Sequence, residues 1–165
     1  MYEERNAPRL PVVTIVRADA PRLWAAALRL VDEYVASLEV DLDFQDFQRE
    51  RANLAREYGP PSGAFLMARE AELFLGCGAI RRHTDAACEM KRLYVAPSGR
   101  RRGLGRILAE ALIGEARRLR YRCMLLDTLP AMQEAQALYR SLGFEATGAY
   151  RFNPVPGAGF MRLDL

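Results

Sequence analysis

Cysteine and histidine are scarce in this sequence. Cys77, Cys88 and Cys123 form no CxxC pair, and the single histidine, His83, sits in the polar run RRHTD. That pattern argues against a disulfide framework and against a zinc site of familiar spacing, so no metal is expected. A lone histidine in such a run reads as a solvated turn residue. Long apolar runs are also missing. The longest, such as LWAAALRLV, are broken by charge and fall short of a membrane span. The chain does not open on a charged-then-apolar leader with a small-residue cleavage site, and a cytoplasmic location is the expectation. Neither GxxxxGK[ST] nor a full GxGxxG occurs, which sets aside two familiar phosphate loops.

What is present is ordinary in bulk. Half of the 165 residues are apolar and 27% are charged, the balance of a globular protein. The length suits one domain, residues 1–165. The net charge of +3 is mild, and Lys91 is the only lysine among 24 basic residues. No repeat, low-complexity segment or Ser/Gly-rich linker divides the chain.

Apolar periodicity supplies the elements. VVTIV (12–16) reads as a strand. Asp19 is expected to cap a helix with Pro21 just inside it, followed by Leu23, Trp24, Ala27, Leu28, Val31, Tyr34, Val35 and Leu38 at helical spacing. A second helix is expected over 44–58, ending at Gly59-Pro60-Pro61. AFLMARE and ELFLGCGAIRR form a hairpin, and CEMKRLYV (88–95) is a third strand. From 103, Leu104, Ile107, Leu108, Ala111, Leu112, Ala116 and Leu119 mark a helix buried along one stripe. CMLLDTL (123–129) reads as an interior strand. A last helix over about 131–142 ends in SLGF, where Gly143 suits the left-handed position and Phe144 the accompanying apolar contact. A Pro/Gly loop then leads to the closing strand AGFMRLDL. The implied fold class is α/β: a mixed sheet with a parallel strand–helix–strand crossover at its centre.

The stretch GRRRGLGR (99–106) lies where the central strand hands over to the buried helix. A helix N-terminus offers unpaired N–H groups and a partial positive charge, an anion site most often filled by phosphate. Gly103 and Gly105 let a bulky group lie against the main chain, and flanking arginines can add paired hydrogen bonds. A cofactor carrying a pyrophosphate fits. The plain alternative is a turn lined with solvated arginines. A nucleic-acid patch is disfavoured, because the run sits at an element junction with few interleaved aromatics.

Arg100, Gly103 and Gly105 match the pattern [QR]xxGx[GA]. Together with MKRLYVAP before it, CMLLDTL after it and the later AxALYRSLGF, the chain resembles the GNAT superfamily of acyl-CoA-dependent N-acyltransferases. The resemblance implies a central mixed sheet whose parallel strands 89–95 and 122–128 splay to admit acetyl-CoA, with helices flanking it. Leu93, Tyr94 and Val95 would offer backbone groups to the pantetheine arm. The loop Arg101, Arg102, Gly103, Leu104, Gly105 and Arg106 would hold the pyrophosphate through main-chain N–H groups, and Arg100 matches the family's polar position or is structural. Tyr139 matches the tyrosine that often donates a hydrogen bond to the departing thiolate; its other reading is a buried aromatic between Leu138 and Leu142. Many members carry an asparagine seven residues before that tyrosine, where this chain has Met132.

An alkyl amine, with a pKa of ~10, arrives protonated and needs a base. Glu89, at the start of the central strand, is the first candidate, or else a solvated strand-end charge; Asp127 is a second candidate, or a cap for the last helix. Cys88 and Cys123 lack a partner base, which favours direct transfer within a ternary complex. The acceptor site is expected to draw on the Glu39–Phe47 region and on Tyr150, Arg151, Phe152 and Asn153, with Tyr150 and Asn153 as substrate-binding residues. Glu39, Asp41, Asp43 and Asp46 could steer a cationic amine, and Arg151 could hold a carboxylate. The expected activity is acetyl transfer from acetyl-CoA to a primary amine of a small molecule. Its rivals are a peptide or protein acceptor and a non-catalytic acyl-CoA-binding module. A homodimer through a strand edge or the tail is a further expectation.

Overall fold

A computed structural model describes residues 12–165; the first eleven residues of the expected 1–165 unit lie outside the described residues. Seven strands, β1 (Val13–Arg17), β2 (Ala64–Glu70), β3 (Leu73–Arg82), β4 (Ala87–Val95), β5 (Cys123–Thr128), β6 (Glu145–Ala146) and β7 (Gly159–Asp164), form one sheet. Their order is β1-β2-β3-β4-β5-β7-β6. The β4–β5 pairing is parallel and the others antiparallel, the mixed sheet that the apolar patterning implies. Among the described residues no helix is long and apolar enough to cross a membrane.

Helices cover both faces. On one lie α1 (Pro21–Ala36), α2 (Phe47–Ala52) and α3 (Leu54–Tyr58), whose Ala27, Leu30, Val31, Phe47, Leu54 and Tyr58 pack on Phe65, Met67, Cys77 and Ala79. On the other lie α4 (Leu104–Arg118) and α5 (Gln133–Ser141). Leu104, Leu108, Leu112 and Ala116 of α4 pack against Leu66, Ile80, Met90 and Met124; Ile107, expected on the same stripe, is exposed instead, while Ile113 is buried. Leu108 and Leu112 are wholly buried, each worth about 2 kcal/mol of apolar transfer. Gly78 allows this closeness, since a Cβ there would stand 2.7 Å from a Leu112 methyl.

Two local expectations need correction. Asp19 does not cap α1: Ala20 holds the cap position with no side-chain bond, and its carbonyl accepts from Leu23 and Trp24 N–H. Pro21 does stand at the first helical position. The helix expected over 44–58 is three pieces, a 3-10 turn at Asp43–Gln45 followed by α2 and α3. Asp46 sits in the left-handed region (φ 56°) between the first two. Asn53 parts the last two, its side-chain amide bonding back to the Arg49 carbonyl at 2.9 Å, the competition with helical bonding that disfavours asparagine inside helices.

Two irregularities in β4 position everything that follows. The first is its pairing with β5, confined to Ala87↔Cys123, Cys88↔Met124 and Glu89↔Leu125. Beyond Glu89 the two strands part, while β5 keeps pairing with β7 along its whole length. The second is a bulge. Cys77 faces Tyr94 and Ala79 faces Lys91, so β4 carries one extra residue opposite Gly78, and Arg92 takes a left-handed φ of 58°. A one-residue insertion reverses which face the following side chains point to. Cys88 and Met90 lie in the α4-side core and Tyr94 in the α1-side core. Lys91 and Arg92, adjacent in sequence, both reach residues of the α1-to-α2 stretch, Gln45 and Glu50 respectively.

Candidate active site

The main chain between β4 and α4 is wound for exposure of its amides. Pro97–Gly99 is a 3-10 turn, Arg101 is left-handed (φ 61°) and Gly103 caps α4 with φ 71°. No side chain caps the helix. Its first internal bond is Ile107 N–H to the Gly103 carbonyl. Among the described residues, the N–H groups of Arg101 through Arg106 therefore have no protein acceptor, and Arg101, Gly103, Leu104 and Gly105 line a groove of about 830 Å³. A Cβ at Gly105 would meet only ordinary contacts at 3.6 and 3.9 Å. The protein's own packing does not demand glycine there, so the room it leaves belongs to the groove. This fits a pyrophosphate laid against the helix mouth.

The arginines divide. Arg100 and Arg101 border the groove. Arg102 instead pairs with Glu70, and Arg106 with Glu110 at 3.3 Å and the Ser141 hydroxyl at 2.6 Å. Neither Arg102 nor Arg106, both expected at the pyrophosphate, lines the groove; their guanidinium groups are turned to these partners instead.

Leu93, Tyr94 and Val95 form one wall of the same groove, facing Ala131–Ala135 and Leu138 across it. Pairing with β5 ends at Glu89, so the edge of β4 that a pantetheine amide would bond is free of its neighbour. The groove runs on into a smaller cavity of about 60 Å³. Its walls are Met90–Leu93 on one side and Asp127–Leu129 on the other, with Tyr34 from α1 and Tyr139 and Met132 from the α5 side. Tyr34 and Tyr139 thus line the same cavity, one from each face of the sheet. Tyr139 also packs on Phe144 (ring centroids 5.7 Å apart), so it is a buried aromatic of the core that at the same time lines the cavity. Burial raises its phenol above the usual value, and raises that of Tyr34 to about 12. Both are hydrogen-bond donors at neutral pH.

A polar cluster closes the far end of this cavity. Lys91 Nζ stands 3.0 Å from Gln45 Oε1, 3.2 Å from Glu89 Oε1 and 3.7 Å from Asp127 Oδ1. Glu89 also binds Arg151, and Arg81 at 3.7 Å. Burial pushes the Glu89 carboxyl up, but Lys91, Arg81 and Arg151 outweigh it and hold it below the usual range. Asp127 accepts from Asn153 at 3.0 Å and from Gln45 at 3.4 Å.

Among the expected catalytic and acceptor residues, Tyr139 and Asp127 line the cavity, whereas Glu89, Tyr150 and Asn153 do not. Glu89 reaches it only through Lys91. Asn153 acts on it by bracing Asp127, and Tyr150 packs between His83 and Phe160 with its hydroxyl buried and unpartnered. His83 is exposed in a bend, as expected of a solvated turn residue, with its ring against that of Tyr150. Arg151 is committed to Glu89. Glu39, Asp41, Asp43 and Asp46 are exposed and border neither cavity. Cys88 and Cys123 lie outside both cavities, and burial raises the Cys88 thiol to about 12, far from a ready nucleophile.

Sequence reasoning passed over Lys91, Tyr34 and Thr128, the last with a buried hydroxyl lacking a partner; Gln45 lies in the Glu39–Phe47 region expected at the acceptor site. The lysine's only trace in the sequence is that it is the single lysine among 24 basic residues.

Known proteins of similar sequence and fold are acetyltransferases. Residues 25–144 match the Acetyltransferase (GNAT) family. The chain belongs to that family. It is 43% identical, over 82% of its length and 85% of the other's, to an uncharacterized N-acetyltransferase of Schizosaccharomyces pombe. An acetyltransferase of Streptococcus agalactiae superposes with a TM-score of 0.76 over 93% of this chain and 98% of that one, at 22% identity. The Salmonella typhimurium acetyltransferase yncA, solved with acetyl-CoA, superposes with a TM-score of 0.68 at 26% identity, over 93% and 94% of the two chains. The chain is thus an acyl-CoA-dependent N-acetyltransferase of GNAT fold.

Proposed function

We propose that the enzyme moves an acetyl group from acetyl-CoA directly to a primary amine of a small molecule. The observation that carries this reading is the narrowing of the site: a groove of about 830 Å³ leads to a cavity of about 60 Å³ between β4 and β5. A cofactor of coenzyme A size fits the first, and an acyl group meeting a slender amine fits the second. The Asp127, Asn153 and Gln45 cluster beyond it suits an ammonium or amine nitrogen and leaves little passage for a folded chain.

In this reading the N–H groups of Arg101 through Arg106 hold the pyrophosphate, with Arg100 beside them. Leu93, Tyr94 and Val95 pair with the pantetheine arm as a strand would. Bound acetyl-CoA supplies the thioester. Tyr139 donates a hydrogen bond to the departing sulfur; a raised phenol is a weak acid, so it stabilises developing charge in place rather than surrendering its proton early. Glu89 and Asp127 set the charge around the amine, and Tyr150 and Asn153 hold the wall behind it.

The test is thioester consumption with acetyl-CoA across small primary amines, free amino acids and peptides. Turnover of at least one small amine, with peptides inert, agrees with the reading. Turnover confined to peptides contradicts it.

A further inference from the structure

We propose that Lys91 is the group that takes the proton from the acceptor amine, with Glu89, Asp127 and Gln45 acting through it as positioning residues; this rests on the functional reading above.

Lys91 is the only lysine of the chain, is 5% exposed, and lines the cavity that also holds Tyr34 and Tyr139. The alternative is a plain counter-ion, and the surroundings speak against it. Glu89 already has Arg81 and Arg151 as partners, so its charge is matched without a third cation. In a sequence whose other 23 basic residues are arginine, the single lysine occurs where the side chain faces the transfer cavity. The chemical difference between the two side chains is that a guanidinium cannot give up its proton in a protein and an ammonium can.

The other groups facing the cavity serve less well. Glu89 does not line it. Asp127 is already engaged by Asn153, Gln45 and Lys91. Tyr34 and Tyr139 are phenols whose protons burial holds on, and Arg92 is locked to Glu50.

The charged groups around Lys91 tune it in opposite directions. Burial favours the neutral amine, Glu89 and Asp127 favour the ammonium, and Arg92 and Arg151 favour the neutral form again. The balance lowers Lys91 to about 8. A base is most effective with its pKa near the working pH.

The step balances. A C–N bond forms between the amine nitrogen and the carbonyl carbon, and the C–S bond breaks. The incoming ammonium loses its first proton to solvent before attack; the second, shed by nitrogen as the C–N bond forms, goes to neutral Lys91 Nζ, and the sulfur leaves as a thiolate hydrogen-bonded to Tyr139. That thiolate is protonated from solvent as Lys91 returns its proton to solvent, so no oxidant or further reactant is needed.

Lys91→Arg is the discriminating variant, because it keeps the positive charge between Glu89 and Asp127 and removes the titration. With acetyl-CoA and a panel of benzylamine, spermidine and free amino acids, the unsubstituted enzyme should show a rising limb in kcat/KM with a midpoint near pH 8. Lys91→Arg should lose that limb and about 10²–10⁴-fold in rate while binding coenzyme A in calorimetry as before. Should the arginine fail to fold, the lone lysine allows a direct reading: selective ¹³C labelling at Cε gives one resonance, which should titrate near 8 with coenzyme A bound. An unchanged rate and pH limb in Lys91→Arg, or a Cε midpoint above 10, overturns the role of Lys91 and leaves the transferase reading standing. No turnover of any amine or peptide by the unsubstituted enzyme overturns that reading, and the role of Lys91 with it.

Discussion

The guanidinium of Arg92 grips the carboxylate of Glu50 at 2.8 and 2.7 Å, and both side chains are buried. Tyr58 adds a third bond to Glu50 at 2.7 Å, and the Phe47 ring lies 5.4 Å below the guanidinium. The pair joins α2 and α3 to the bulge of β4, next to the strand edge that lines the cofactor groove. Removing one partner strands a buried charge, which costs about 3–5 kcal/mol. Arg92→Met and Glu50→Leu should each lose that much in urea unfolding, and the double variant should recover most of it. Equal additive losses would show that the pair is not coupled.

The same pair gives a pH dependence. Burial raises the Glu50 carboxyl, but the hydrogen bonds and charge of Arg92 more than reverse this and hold it below its usual value of 4.5. A carboxyl lowered by folding contributes stability that is present above the unfolded value and lost as pH falls through the folded one. The unfolding free energy should therefore decline below about pH 4.5, and Glu50→Gln should flatten that part of the decline.

Tyr139→Phe separates the two roles of that ring. The packing on Phe144 survives and the hydroxyl does not. We expect kcat to fall by about 10²–10³-fold, with coenzyme A affinity and the thermal midpoint near those of the unsubstituted protein. An unchanged kcat would reduce Tyr139 to core packing.

Gly103 sits at φ 71° with open space where a Cβ would be. The cost of Gly103→Ala is then backbone strain, about 1–2 kcal/mol, without a clash. Gly103→Asn, a residue more tolerant of the left-handed region, should lose less. Urea unfolding of the two variants measures the difference.

Much of this was legible in the sequence. The stripe from Leu104 to Ala116 named α4. Gly143 and Phe144 close α5 as expected: φ is 95° at Gly143, and Phe144 N–H bonds the Tyr139 carbonyl. The handover from strand to helix at Gly103 pointed to the uncapped amides at the mouth of α4. Less legible was whatever depends on one residue's displacement. The bulge at Arg92 turns Lys91 and Arg92 to the same side, and alternation alone would have separated them. The breaks at Asp46 and Asn53 interrupt a helix whose apolar spacing runs on undisturbed. Lys91 was visible only as a compositional oddity, because its meaning comes from Glu89, Asp127 and Gln45, which lie two, 36 and 46 residues away.

The central claim is that open main-chain amides at the mouth of α4 hold the cofactor in the room left by Gly105. Calorimetric titration of coenzyme A into the unsubstituted protein and into Gly105→Val tests it most directly. One-to-one binding to the first, weakened tenfold or more (about 1.4 kcal/mol) in a variant that unfolds at a similar temperature, is the predicted result. Binding that Gly105→Val leaves undiminished, or no binding to the unsubstituted protein, would contradict it.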